Sequence, residues 1–259
     1  MSLRSLLASD IPAIGHFVFE FATPGIATIA RNAGADFLVL DMEHSGFSFE
    51  TVKLTVLSAR AAGLPLVVRV PSHDMKDLTR ACDAGADGVM APSVRSADEA
   101  RAIVRAVKYA PAGQRGVVQV QLHDRYRVGA FPEKAQAANE ALAVILQIES
   151  GEGAEAADAI ASVPGVDCLW IGHMDLSCSL GAPAQFDTPS FRAAVDSVLA
   201  ATRRHRIRAG RLARNAEEGA ALAAQGFDCL ALASDTQVYQ AALTQGIGDL
   251  RARIAGGRT

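Results

Sequence analysis

Aromatic residues are scarce: Phe, Trp and Tyr together make up 5% of the chain, with a single Trp. A surface that stacks nucleobases needs several such rings, so a single-stranded nucleic-acid binder is not indicated. A basic excess is missing too. Lys and Arg number 25 against 28 Asp and Glu, a formal net charge of −3, whereas a nucleic-acid-binding domain usually presents a basic face. Cysteine is confined to Cys82, Cys168, Cys178 and Cys229, with no pair spaced Cys-x-x-Cys. This gives a zinc knuckle no support and suits free thiols in a reducing cytoplasm. No apolar run approaches the ~18 residues of a membrane span. The opening MSLRSLLASDIP is too briefly apolar for a secretion signal. The expectation is a soluble cytoplasmic protein with no membrane or nucleic-acid partner.

What the chain does have is apolar bulk. Half of its 259 residues are hydrophobic, enough for a large core. The length is close to the ~250 residues of a closed α/β barrel. Eight short apolar runs read as strands: 15–21, 37–42, 64–70, 88–92, 143–149, 168–172, 208–213 and 227–233. They are Leu-, Val- and Ile-rich with little alternation, as in a parallel sheet buried on both faces. Between them lie Ala-rich amphipathic stretches, notably 51–62, 96–107, 153–162 and 190–205, which read as helices. Ser96 followed by Glu99 is a capping-box start. AGADF, AGADG, VPGVD and AQGFD repeat one joint, in which Gly ends a helix left-handed and Asp leads into the next strand. The fold expected is α/β, a (β/α)8 TIM barrel, as a single domain over residues 1–259. Residues 113–132 break the rhythm as a long polar loop, and loops of that length are usually functional or packed on a partner.

In such a barrel catalytic groups sit at the C-terminal ends of the strands. Polar residues gather there: Asp41, Glu43 and His44 after the second run, Arg69 at the end of the third, Gln147 and Glu149 at the fifth, His173 and Asp175 after the sixth. Glu149 and Asp175 are about one strand–helix unit apart, which places two carboxylates on neighbouring strand ends. Two such charges repel unless a proton or cation lies between them. A hard divalent ion, completed by water and substrate oxygens, resolves this. His44 in its neutral form can serve as a base near neutral pH. Arg69 closes an apolar strand, where a guanidinium calls for an oxyanion or an ion pair with Asp41 or Glu43. No Lys lies near the end of an apolar strand, so a Schiff-base aldolase is not indicated.

FLVLDMEHSGF, VVRVP, AGADGVMAPSVRSADEARAIVRAVKYAPAGQRG, ILQIES and LWIGHMDLSCSLG occur in that order. Together they resemble the HpcH/HpaI aldolase (citrate-lyase-like) family, metal-dependent class II pyruvate aldolases of the phosphoenolpyruvate/pyruvate barrel superfamily. The resemblance runs from about Gly15 to about Ala233. It implies Glu149 and Asp175 as ligands of Mg2+, Mn2+ or Co2+, and Gln147 with Gly172, His173, Met174 and Asp175 around the 2-oxo acid. It implies His44 as general base, Arg69 as the group stabilising the enolate, and Asp41 as a further acid beside the histidine. Asp83 matches a carboxylate that raises the basicity of that histidine, often from a neighbouring subunit, and the assembly implied is a homohexamer. The activity implied is cleavage of 4-hydroxy-2-oxo acids to pyruvate and an aldehyde through a metal-bound enolate. Oxaloacetate decarboxylation and citrate-lyase-like thioester cleavage are alternatives on the same site. A non-enzymatic barrel would be expected to have lost one of His44, Arg69, Glu149 and Asp175, and all are present. Three positions depart from the family pattern: His173 and Met174 stand where Pro-Ala is common, and Arg211 where the residue is usually apolar.

Overall fold

The computed structural model describes residues 2–256. Eight parallel strands close on themselves in sequence order: β1 Ala13–Val18, β2 Phe37–Asp41, β3 Leu66–Arg69, β4 Gly88–Ala91, β5 Ala143–Ile148, β6 Cys168–Ile171, β7 Arg208–Ala213 and β8 Cys229–Ser234. The expected (β/α)8 barrel is borne out, with all eight runs forming strands. β1 begins two residues earlier than its run and ends at Val18, because the chain leaves the sheet before Phe19. One helical expectation and one loop boundary need correction. The stretch 153–162 is not one helix but two short ones, Gly151–Glu155 and Ala157–Ala161. The polar segment ends sooner than expected, because the helix Phe131–Ala141 already contains Pro132 in its first turn, where a missing N–H costs nothing.

The repeated Gly-x-Asp joint explains how the barrel closes. Gly34, Gly85, Gly165 and Gly226 all have φ between +94° and +113°, backbone that a side chain would strain. Two residues on, each Asp makes a two-point clamp to the preceding strand. Asp36, Asp87, Asp167 and Asp228 accept from the amides of Ile14, Leu66, Val144 and Ala209 at 2.9–3.0 Å. Their own amides donate back to the carbonyls of those same four residues. One side-chain hydrogen bond of this kind contributes about 1 kcal/mol. Four of them, on alternate strands, pin the register around the N-terminal rim.

Two apolar layers follow from strand alternation. Phe37, Val39, Val67, Met90, Ile145 and Trp170 fill the barrel, and Leu3 and Leu7 of the first helix plug its N-terminal end. The opposite faces, including Leu38, Leu40, Val68, Val89 and Leu146, pack on the surrounding helices. The helix Ala97–Val107 starts on Ser96, whose hydroxyl accepts from the Glu99 amide, while Glu99 accepts from the Arg95 amide. The last helix, Asp235–Gly256, differs from the others. Asp235 is buried and accepts from the amides of Phe19, Glu20 and Phe21, tying the end of β8 to the end of β1. Beyond that turn the helix leaves Tyr239, Leu243, Ile247, Leu250 and Ile254 exposed. Among the described residues no helix is long and apolar enough to cross a membrane.

Candidate active site at the barrel mouth

The inward parity that fills the barrel carries on to the strand ends and there turns polar. Asp41 and Arg69 are register partners on β2 and β3, so their side chains project inward side by side. Arg69 Nε donates to Asp41 Oδ1 at 2.6 Å, and its Nη1 lies 3.2 Å from Glu43 Oε2. Its guanidinium carbon sits 5.4 and 5.5 Å from the ring centres of Phe17 and Phe19. Both the expected ion pairs therefore form, over a stacked aromatic floor. No described residue accepts from Arg69 Nη2, so one edge of the fork remains for a substrate oxygen. Asp41 is fully buried and also accepts from the amides of Glu43 and His44, folding the turn after β2.

Glu149 follows β5 and is 7% exposed. Its Oε2 accepts from both the amide and the hydroxyl of Ser93 at 2.8 Å. Its Oε1 accepts from Gln147 Nε2 at 3.0 Å. Ser93 adopts φ +51° to deliver both donors, a left-handed conformation that costs energy for a residue other than Gly and is typical of functional turns. Gly172, at the end of β6, is required for the same carboxylate. A Cβ there would lie 2.4 Å from Glu149 Oε1.

Acidic groups outnumber the cations at this mouth, because Arg214, which also lines it, is already paired with Glu218 at 2.9 Å. Burial pushes the Glu43 carboxyl above its usual range; Arg69 pulls it back, while Glu149 and Asp41 push it up further. Asp175 lies in the first turn of the helix His173–Ser179, within the helix rather than capping it. It lines the same cavity, of about 640 Å³, as His44, Arg69, Gln147 and Glu149. No described residue donates to the Asp175 carboxylate, and Gln147 Oε1 is buried without a hydrogen-bond partner. Among the described residues no three His, Cys, Asp or Glu side chains form a closed metal cage. Glu149 and Asp175 instead line one cavity as two carboxylates, donors whose chemistry fits a hard cation that keeps water or substrate as its remaining ligands.

His44 stands at the rim with its side chain 57% exposed and Nε2 3.6 Å from Glu43 Oε2. Its partner is therefore Glu43. Asp41 holds the His44 backbone amide and not the ring. His173 is packed edge-on against Phe186, at 5.2 Å. Burial, then Arg211, lowers its pKa to about 4. Met174 is 48% exposed at the rim.

Asp83 is the one expected site residue not brought to this mouth within the chain. It ends the helix Met75–Asp83, which runs back toward the opposite rim, and it pairs with Arg115 Nη2 at 2.7 Å. Sequence reasoning missed Ser93, Phe17, Phe19 and Asp235. The only signal for Ser93 was its place just after the end of β4.

The family model for HpcH/HpaI aldolase/citrate lyase matches residues 15–242. A hydroxypyruvate/pyruvate aldolase of Paraburkholderia phytofirmans is 34% identical, over 96% of this chain and 97% of that protein. A 2-dehydro-3,6-dideoxy-6-sulfogluconate aldolase of Pseudomonas putida is 33% identical, over 90% and 91%. The crystal structure of an HpcH/HpaI aldolase from Desulfitobacterium hafniense superposes with a TM-score of 0.91 at 29% identity, covering 97% of both chains. With the motifs at the strand ends and the match along nearly the whole barrel, the chain belongs to the HpcH/HpaI aldolase/citrate lyase family of carbon–carbon lyases.

Proposed function

We propose that this protein is a class II aldolase that cleaves 4-hydroxy-2-oxo acids to pyruvate and an aldehyde, using a divalent cation held by Glu149 and Asp175. The observation that carries the reading is the surplus of inward carboxylates around one paired guanidinium, beside the orphaned Gln147 oxygen. Aldolase relatives with full-length coverage support it. Glu149 and Asp175 would hold the cation, which when bound lowers the cost of negative charge on the oxygens of the 2-oxo acid, and Gln147 lines the wall against that acid.

The chain's own residues supply the rest. Arg69 cannot lose its proton, and its free edge faces the oxygen that becomes negative as the C–C bond breaks. Asp41, Glu43 and the Phe17–Phe19 floor fix that guanidinium before substrate arrives, so little reorganisation is left for the reaction. His44 takes the proton of the C4 hydroxyl, with Glu43 beside its Nε2. Gly172 and the turn to Asp175 shape the wall against the 2-oxo acid, and His173 and Met174 narrow it relative to a Pro-Ala pair. The test is pyruvate release from a panel of 4-hydroxy-2-oxo acids. Release is expected to stop with chelator and to return with Mg2+, Mn2+ or Co2+; turnover indifferent to chelator overturns the reading.

The assembly belongs to the same proposal. Ile14 on β1 and Leu232 on β8 face outward and are 49% and 41% exposed, since the last helix leaves that side of the barrel bare. The same helix has an apolar stripe at 239, 243, 247, 250 and 254, spaced three or four residues apart. These two uncovered surfaces support a homohexamer in which copies exchange this helix. Asp83 and the segment 113–132 would then complete a neighbour's mouth. Sedimentation is expected to give a hexamer that Ile247→Arg breaks down together with activity; a fully active monomer overturns it. Four free cysteines support a reducing, cytoplasmic setting.

A further inference from the structure

Arg211 is a buried cation to which the mouth gives no task. On β7 positions 210 and 212 face inward: a Cβ on Gly210 would lie 2.2 Å from Trp170 Cε3, and Leu212 lines the mouth. Arg211 therefore points outward, beneath the helices Pro189–His205 and Ala216–Gln225. It is 5% exposed, yet no described residue accepts a hydrogen bond from its guanidinium or pairs with it within ion-pair distance, and its Nε is fully buried and unpartnered. The rings of Phe186 and Phe191 have their centres 5.7 and 5.6 Å from Cζ, and the charges nearest it are Glu218, already paired with Arg214, and Arg214 itself. A guanidinium left this way forfeits its hydration without a replacement.

The guanidinium opens into a groove of about 590 Å³ between those helices. The groove's other cations are already engaged: Arg192 pairs with Asp187 at 3.1 Å and Arg214 with Glu218 at 2.9 Å. Asp196 also lines it, so the surroundings as a whole are not cationic and disfavour a dianion. Phe191, Val195, Leu199 and Leu222 supply an apolar stretch of the wall, and Gln225 adds a polar edge.

We propose that this groove is a second ligand site, separate from the mouth, for a small monocarboxylate with an apolar body, its carboxylate bound by the Arg211 fork and its body against Phe186, Phe191 and Leu222. A planar carboxylate matches two parallel N–H donors, and each charge-assisted pair is strong where water is excluded. The site borders the mouth, because the far edge of Phe186 meets His173 and Arg214 lines both cavities.

The test is direct binding of benzoate and hexanoate to the full chain, followed by ligand-observed NMR and by thermal shift, with inorganic phosphate alongside. Saturable binding of the two acids is expected, with no response to phosphate. Arg211→Leu is expected to weaken binding by ~10- to 100-fold, the range of one lost charged hydrogen-bond pair. Arg69→Lys, which removes the fork at the mouth while keeping its charge, is expected to leave binding unchanged. The ligand-free Arg211→Leu protein is expected to melt no lower than the parent, because an unpaired buried charge gives way to a hydrocarbon. Arg211→Met serves as a second variant with the same expectations. Undiminished binding in both variants, loss of binding with Arg69→Lys, equal binding of phosphate, or no binding of either acid would each overturn the proposal. So would a lower melting temperature of both ligand-free variants, which would make the guanidinium a packing element of the two rings.

Discussion

Glu149→Gln is expected to lower pyruvate release by ~10³-fold or more, because a divalent cation stabilises the developing charge by several kcal/mol and each 1.36 kcal/mol is tenfold in rate. The substitution keeps the size and shape of a side chain that is 7% exposed, so loss of activity should not reflect a cavity. It also removes one acid from a group in which Glu149 and Asp41 both push the Glu43 carboxyl upward. The metal-free variant should therefore melt at the parent temperature or above it: Ser93 keeps its donors on the one amide oxygen, and Gln147, whose own oxygen lacks a partner, can turn that oxygen to accept from the new NH2 group. The cation itself supplies the decisive comparison. A ligand present at 100 times its dissociation constant stabilises the folded state by about 2.7 kcal/mol. Mg2+ or Mn2+ should raise the melting temperature of the parent and leave Glu149→Gln unmoved. A variant that still gains stability from the ion, or still releases pyruvate, would remove Glu149 from the cation site.

That the comparison can be designed at all reflects how much of the mouth is local in sequence. Asp41, Arg69, Gln147 and Glu149 each end a run of apolar residues, and the inward parity of a strand is fixed by its period of two. The Gly-x-Asp joints were legible for the same reason, since a helix stop and its strand entry lie within five residues. What could not be read depends on contacts between distant segments. Ser93 reaches Glu149 across 56 positions and Asp235 reaches Phe19 across 216. Neither residue carries a local signal, because Ser and Asp are ordinary turn residues. The break between Gly151–Glu155 and Ala157–Ala161 falls in Ala154-Glu155-Ala156-Ala157, four helix-favouring residues with no stop signal. Asp83 shows the opposite case. Its motif was plain, but the antiparallel course of its helix carries it to the other rim, where Arg115 pairs with it. Within one chain it can act on Arg115 and not on His44.

His44→Ala separates the two reactions that this mouth could run. Retro-aldol cleavage needs a base for the C4 hydroxyl proton, and a positioned base contributes ~10²- to 10⁴-fold. Decarboxylation of oxaloacetate leaves CO₂ and has no such proton to remove, while drawing on the same charge stabilisation by Arg69 and the cation. The variant is therefore expected to lose aldol cleavage by ~10²-fold or more while its decarboxylation rate stays within a few-fold of the parent. Folding should be spared, because the His44 side chain is 57% exposed and its ring's partner among the described residues is Glu43 at 3.6 Å. The backbone amide that Asp41 holds is retained in alanine. Both rates measured on one preparation with one metal make the outcome internal to the sample. An equal fall in both would mean that His44 positions the 2-oxo acid or the cation and takes no hydroxyl proton. An unchanged aldol rate would pass the base role to another group at the rim, with Glu43, whose carboxyl is already pushed upward by burial, as the nearest acid to the empty position.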